Sequence, residues 1–195
     1  LSGAGVAPIV EVGNSIANIN WAATYNFTPS SISVSATGKP TQTPVPTGTS
    51  SAGTFAGPFT SNTNGDSVTV SIAAVDPVGA THISNQTITF SSKVVWGSTT
   101  PPEVVGQALW DALNIDNNVL SPNGTVGTMS FASGPGQDQT FARLASFGPP
   151  TLMSGGFTYP PTLLGTSVIT ENGTTQTYNF YTVGAPGLTF SWSMT

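Results

Sequence analysis

The sequence predicts a mainly β protein made of two β-rich, sandwich-like units with one short helix at the seam. Three observations predict it. Apolar residues alternate with polar or small ones along most of the chain, the two-residue period of a half-buried strand. Turn residues interrupt that pattern at short spacing. One stretch, at about residues 101–113, instead repeats its apolar residues every three or four positions, the period of a helix face.

Composition narrows the function classes. The chain has 195 residues, enough for one large domain or two small ones. Only 6% are charged, against about 25% in ordinary globular proteins. Lys39, Lys93 and Arg143 are the three cations, and eight acids leave a net charge of −5. Phosphate recognition needs clustered cations, so nucleic acid is excluded as a partner, and so is an anionic membrane surface. Ten Phe, four Trp and four Tyr supply core material that disordered chains lack. There is no cysteine, hence no disulfide, thiolate metal site or cysteine nucleophile. No run of about 18 apolar residues predicts a membrane-spanning helix. The chain opens on Leu1 without a signal-peptide pattern, as expected of a processed chain or a piece of a longer one.

The first eight residues, "LSGAGVAP", read as a flexible arm. Residues 9–92 follow as the first unit. Ile19, Trp21, Ala23 and Tyr25 alternate as a strand, and Asn26–Pro29 turn the chain. Ile32, Val34 and Ala36 form the next strand. Residues 38–58, rich in Gly, Pro, Thr and Ser, predict a long loop or edge region with little core value. Asn64-Gly65 is a tight-turn signal before "SVTVSIAAV", in which Val68, Val70 and Ile72 share a face. "DPVGA" turns into "THISNQTITF", with Ile88 and Phe90 on one face. Five to seven short strands over about 90 residues is the profile of an immunoglobulin-like sandwich.

Residues 93–195 make the second unit. Thr100-Pro101-Pro102-Glu103 resembles a capping box, with Thr100 as N-cap and Glu103 at N3. Val104, Val105, Ala108, Leu109, Ala112 and Leu113 then form the apolar stripe. A helix this short is unstable alone and must lie on apolar surface. After the turn at Asn123-Gly124 the strand pattern returns with Met129 and Phe131. "SGPGQ" turns, and "DQTFARLASFG" is ambiguous between strand and short helix, with strand the preferred reading. "GTSVITENGTTQTYNFYTV" is a hairpin about Asn172-Gly173. Leu188, Phe190, Trp192 and Met194 alternate in a last strand.

Residues able to do chemistry are few. His82 and Asp76 with any nearby serine could be written as a triad, but no G-x-S-x-G elbow accompanies them. Glu103 and Asp111 would stand about 12 Å apart by helix rise, too far for either glycosidase geometry. Asp111, Asn114, Asp116, Asn117 and Asn118 gather oxygen donors, yet their spacing is that of helix-ending turns. Asn26, Asn85, Asn123 and Asn172 each begin an N-x-Thr sequon, expected by chance in so threonine-rich a chain. No catalytic, cofactor or metal residue is assigned. Trp96, beside Gly97 at the seam, and Trp110, offset from the helix stripe, are candidate interface residues, as are Phe147 and Tyr159.

Three stretches carry a resemblance. "VEVGNSIANINWAATYNFTPSSISV", "FSSKVVWGSTTPP" and "SGPGQDQTFARLASFGPPTLMSGGF" with "SVITENGTTQTYNFYTVGAPGLTF" resemble β-sandwich modules of tailed-bacteriophage virion proteins. The chain departs from the pattern at Phe141 and Leu144, where tyrosine and proline are expected. The resemblance implies a non-enzymatic packing or attachment unit of a virion, most readily a tail appendage such as a fibre or baseplate part, present in repeated copies and trimeric in fibres. Its partners would be other virion proteins, copies of itself and a host-surface glycan or protein. A capsid decoration protein is the alternative within that class. A secreted carbohydrate-binding or glycan-cleaving module is the alternative outside it.

Overall fold

The structure, a computed structural model, describes residues 9–131, 134, 136–183 and 191–194. The predicted arm at residues 1–8, part of the "SGPGQ" turn, Leu188, Phe190 and the side chain of Trp192 lie outside the described residues. The fold is mainly β, as predicted, with one α-helix among the described residues. Of the described residues, the first unit holds Ile9, Val10 and Asn14–Phe90. The second holds Glu11–Gly13 and those from Ser91 onward. The sequence had placed the division at residues 92 and 93. Three residues near the start, Glu11–Gly13, also belong to the second unit, because Val12 N–H donates to Ser91 O and Glu11 reaches Lys93.

The first unit has two sheets. One has the order β1 (Ile9–Glu11), β6 (Thr81–Ser91), β5 (Ser67–Val75), β3 (Ser31–Ala36). The other pairs β2 (Ser15–Thr24) with β4 (Ser50–Thr60). Alternation decides the inward faces: Ile19, Trp21 and Ala23 on β2, Ile32, Val34 and Ala36 on β3, and Val68, Val70, Ile72 and Ala74 on β5 are all buried. The segment predicted as a loop, residues 38–58, is corrected in its second half. Ser50–Pro58 belongs to β4, which buries Phe55 and Phe59. Its small residues are needed where they stand: a Cβ on Gly53 would lie 2.6 Å from the Trp21 ring. Trp21 Nε1–H donates to Gln42 Oε1 at 3.1 Å, and Gln42 in turn bridges to Val34 through the backbone.

The second unit is layered. Its middle sheet has the order β13 (Thr162–Glu171), β14 (Thr174–Val183), β10 (Asp138–Leu144), β7 (Lys93–Thr99), β8 (Asn117–Leu120). A four-stranded sheet of order β12 (Phe157–Tyr159), β11 (Leu152–Ser154), β15 (Ser191–Met194), β9 (Val126–Ser130) covers one face. On that side Val94, Trp96, Phe141, Tyr181 and Val183 meet Met129, Leu152 and Met194. Helix α1 (Gln107–Asp116) covers the other, where Val95, Ala142, Phe180, Tyr178 and Ile169 meet Trp110 and Leu113. Neighbouring residues of β7 and β10 thus enter opposite cores, which requires apolar side chains on both faces. The ambiguous "DQTFARLASFG" is strand to Leu144, then a 3-10 turn at Ala145–Phe147.

The helix lies later than predicted. It starts after Gly106 and no side chain caps it, so the capping box at Thr100 does not form. Thr99 Oγ1–H instead donates to Glu103 Oε1 at 2.7 Å. Val104 lies before the helix and is 82% exposed, and within the helix burial of the largest side chain, Trp110, turns the Leu109–Trp110–Leu113 side toward the sheet. The Asn172-Gly173 hairpin forms as expected, with φ of 50° and 73° at its two central residues.

Gly53→Ala overpacks a rigid ring and is expected to cost about 1–3 kcal/mol, read as a lower denaturation midpoint. Unchanged stability would contradict the close approach of β4 to Trp21.

Candidate functional site

Of the four aromatic residues singled out as interface candidates, the structure leaves one on the surface. Trp110 is 2% exposed and packs edge-on against Tyr178, ring centroids 5.9 Å apart. Trp96 is buried in the core between the sheets, its Nε1–H donating to Ser130 O. Neither ring is free for a neighbouring chain, so both assignments are corrected: their bulk is core material. Phe147 is half-buried, held under the Arg143 guanidinium at 5.6 Å. Arg143 donates to Gly124 O, Phe147 O and Gly148 O, tying the bend at 145–148 to the Asn123-Gly124 turn. Tyr159 remains at the surface, on β12.

Tyr159 belongs to a margin that sequence reasoning missed. Strands β12 and β13 are the edge strands of their two sheets and follow one another through Pro160-Pro161. Tyr159 pairs with the core residue Leu152, and Phe157 pairs with Ser154, so both stand on the inward face of their sheet. Leu163 pairs with Tyr181 and Val168 with Thr177, which sets them on the facing side of the middle sheet. Three of these core-facing positions stay largely exposed among the described residues: Phe157 is 70% exposed, Val168 62% and Leu163 53%. No sequence pattern could show this, because alternation marks which face a residue is on and not how far the opposite sheet extends.

The margin carries almost no charge. Glu171 is the one ionisable side chain other than Tyr159 on β12 or β13, and it is turned to Lys93. Edge strands are usually blunted by charges, proline or a covering element. Here Gln107 of α1 accepts from the Thr170 amide at 2.8 Å, which covers one outward-pointing group at the far end. Along the remainder, no strand lies beside β13 on its outer side among the described residues.

Glu171 marks a second feature, a half-buried ion cluster. Lys93 Nζ lies 2.6 Å from Glu171 Oε1 and 3.0 Å from Glu11 Oε1. It also lies 5.9 Å from the centroid of the Trp110 ring. The ammonium aims its hydrogen bond at Glu171, and Glu11 Oε1 is held by charge alone. Burial lifts the Glu171 carboxyl to about 7, the adjoining Glu11 adding to the lift and Lys93 opposing it. Burial pulls Lys93 down, but the two carboxylates beside it, Glu171 and Glu11, outweigh this and hold it above its usual range. Tyr178 is pushed up by burial and by the Glu171 charge. This carboxylate pair could not be read from the sequence, since 160 positions separate its members. It closes the short Glu11–Gly13 strap against the hairpin: a Cβ on Gly13 would lie 2.8 Å from Asn172 O.

The other polar candidates are engaged in turns. His82 Nε2 meets Asp76 Oδ2 at 3.1 Å, while Asp76 Oδ1 accepts from Val78 and Ala80 N–H and so closes the "DPVGA" turn. Ser30 spends its hydroxyl on Val75 O and Asp76 O, so the written triad is not assembled there. Glu103 and Asp111 accept from Thr99 and Gln107 respectively. Asn118 donates to Asn114 O, and Asn117 donates to Trp96 O, ending the helix. No group of three or more His, Asp or Glu side chains suited to a metal gathers among the described residues. No helix among them is long and apolar enough to cross a membrane.

No family profile, curated protein or solved structure matches this chain. The resemblance to tailed-phage modules therefore rests on the sequence stretches that carry it.

The ion cluster predicts a pH dependence. A carboxyl raised from 4.5 to about 7 favours the fold while protonated. That contribution is complete below about pH 4.5 and is lost as pH rises through 7. Asp76, lowered chiefly by its bond to His82, acts oppositely and only below its ordinary 3.8. The second unit is thus expected to melt at a lower temperature at pH 8.5 than at pH 5.5, and Glu171→Gln to flatten that slope. Equal slopes in the two proteins would remove the cluster from the explanation.

Proposed function

We propose that this protein is a non-enzymatic structural component of a tailed-phage virion, most readily a tail appendage, that works by packing against copies of itself and other virion proteins. The placement in a virion follows the sequence resemblance. The packing role is supported by one observation above others, the exposed, uncharged apolar margin that Phe157, Leu163 and Val168 form among the described residues.

Core-facing apolar side chains in water are an unfinished core. Covering them stabilises by about 25 cal/mol per Å², and an open edge beside them offers backbone groups to a further strand. A second copy presents the same surface, so a symmetric contact pairs apolar with apolar and brings no like charges together. With 6% charged residues, few ion pairs are available to hold or to salt-sensitise such a contact.

Sedimentation velocity over a concentration series tests this. Association is expected, and it should persist in about 1 M NaCl, where the Debye length falls to about 3 Å. Val168→Lys places a charge in the margin and should abolish association, whereas Val78→Lys, at a turn of the first unit where Val78 is 89% exposed, should not. A chain that stays monomeric at all concentrations, or that assembles equally well with Val168→Lys, would overturn the packing role. Immunogold labelling of purified particles tests the placement separately, and unlabelled particles would refute it.

A further inference from the structure

The chain's three cations have very different surroundings. Lys93 is held between two carboxylates, and Arg143 is 3% exposed with three carbonyl partners. Lys39, in the first unit, forms no ion pair among the described residues and is the one cation left to meet a ligand. Its ammonium sits 4.7 Å from the Phe59 ring centroid, at a cleft of about 490 Å³ between β4, the turn after β3 and the start of β5. That volume falls within the usual range for small-molecule sites, about 300–1,000 Å³.

The cleft wall is made of hydroxyls and one carboxylate. Thr60 and Ser67 are exposed, and their hydroxyls make no hydrogen bond among the described residues. Asp66 lines the same cleft. Ser61 Oγ–H donates to its Oδ2 at 2.6 Å, and it forms no ion pair with Lys39. Opposite charges that share a cleft without neutralising one another leave both available. The floor is apolar, with Val68 and Phe90 beneath.

We propose that this cleft binds a monoanionic, polyhydroxylated ligand of the acidic-sugar class, with Lys39 taking the sugar carboxylate and Asp66, Thr60 and Ser67 taking its hydroxyls. Each feature selects against neighbouring chemistries. A phosphate dianion gains one cation and meets the Asp66 charge. A neutral sugar leaves Lys39 unused. An acidic peptide brings several charges to a single ammonium. Asp66 accepts O–H donors, which a sugar has in number, and the apolar floor suits the C–H face of a pyranose ring. The site belongs to the first unit alone and goes beyond the packing role.

The test titrates the intact protein with glucuronate, glucose and a short oligoglutamate peptide, followed by amide shifts in a heteronuclear NMR spectrum. Glucuronate is expected to shift Lys39, Thr60, Asp66 and Ser67, and to bind at least about tenfold more tightly than glucose, a difference of about 1.4 kcal/mol. Lys39→Gln should remove that preference and Lys39→Arg should keep most of it. Asp66→Asn, which keeps an acceptor but loses the repulsion, should admit inorganic phosphate. A preference for oligoglutamate, equal binding of glucose, shifts elsewhere on the chain, or glucuronate binding that survives Lys39→Gln would each overturn the proposal. Sedimentation of Lys39→Gln should match the unsubstituted protein, which separates this site from the packing surface.

Discussion

The middle sheet of the second unit must be buried on both faces, and the rest of that unit follows from how this is met. Two different covers meet it, a four-stranded sheet on the side of Phe141 and Tyr181 and a ten-residue helix on the side of Phe180 and Ile169. The helix is there because those residues and Val95 need a lid. Trp110 is its largest contribution, which is why the helix turns its Trp110–Leu113 side inward. Neither cover reaches Leu163 and Val168 on β13. Among the described residues, the same demand that organises the unit is thus left unmet at one margin.

Scarcity of charge gives each ionisable group an unusual weight. Two of three cations are spent inside the second unit. Arg143 fastens two turns through backbone carbonyls, and Lys93 lies between two carboxylates and opposes the lift that burial gives Glu171. A surface so poor in ion pairs has Ser, Thr and small apolar side chains to offer to a partner. β5 shows the pattern: Ser67, Thr69 and Ser71 alternate with the buried Val68, Val70 and Ile72. Recognition by such a surface depends on shape and on covering what is apolar, which directs attention to the margin where apolar side chains collect.

Much of the fold was legible because strands with one covered face announce themselves by alternation. Ile19-Trp21-Ala23 and Val68-Val70-Ile72 were read correctly on that basis. The Asn172-Gly173 hairpin was legible because its backbone requires two left-handed residues. Strands buried on both faces were harder: "FARL" has no alternation, since Phe141 and Ala142 enter different cores. β4 was missed because Gly53, Gly57 and Pro58 are turn-forming residues elsewhere, whereas Gly53 here makes room for a tryptophan. Two of the four aromatic interface candidates failed for a related reason. Trp96 and Trp110 looked exceptional at the seam, but a large side chain beside glycine or off a helix stripe is as often the plug of a core. The ion cluster and the Lys39 cleft join residues far apart in sequence, and only the folded chain brings them together.

The account's central claim is that the outer edge of β13 is a surface waiting for cover. Amide hydrogen exchange along β13, measured at low and high protein concentration, tests it most directly. Thr170 N–H is already bonded to Gln107 and should be slow at both. The amides of Val168 and Thr166, which by strand alternation point the same way, should exchange fast when dilute and become protected when concentrated. Protection that never changes with concentration, or that appears on strands of the first unit instead, would contradict the account.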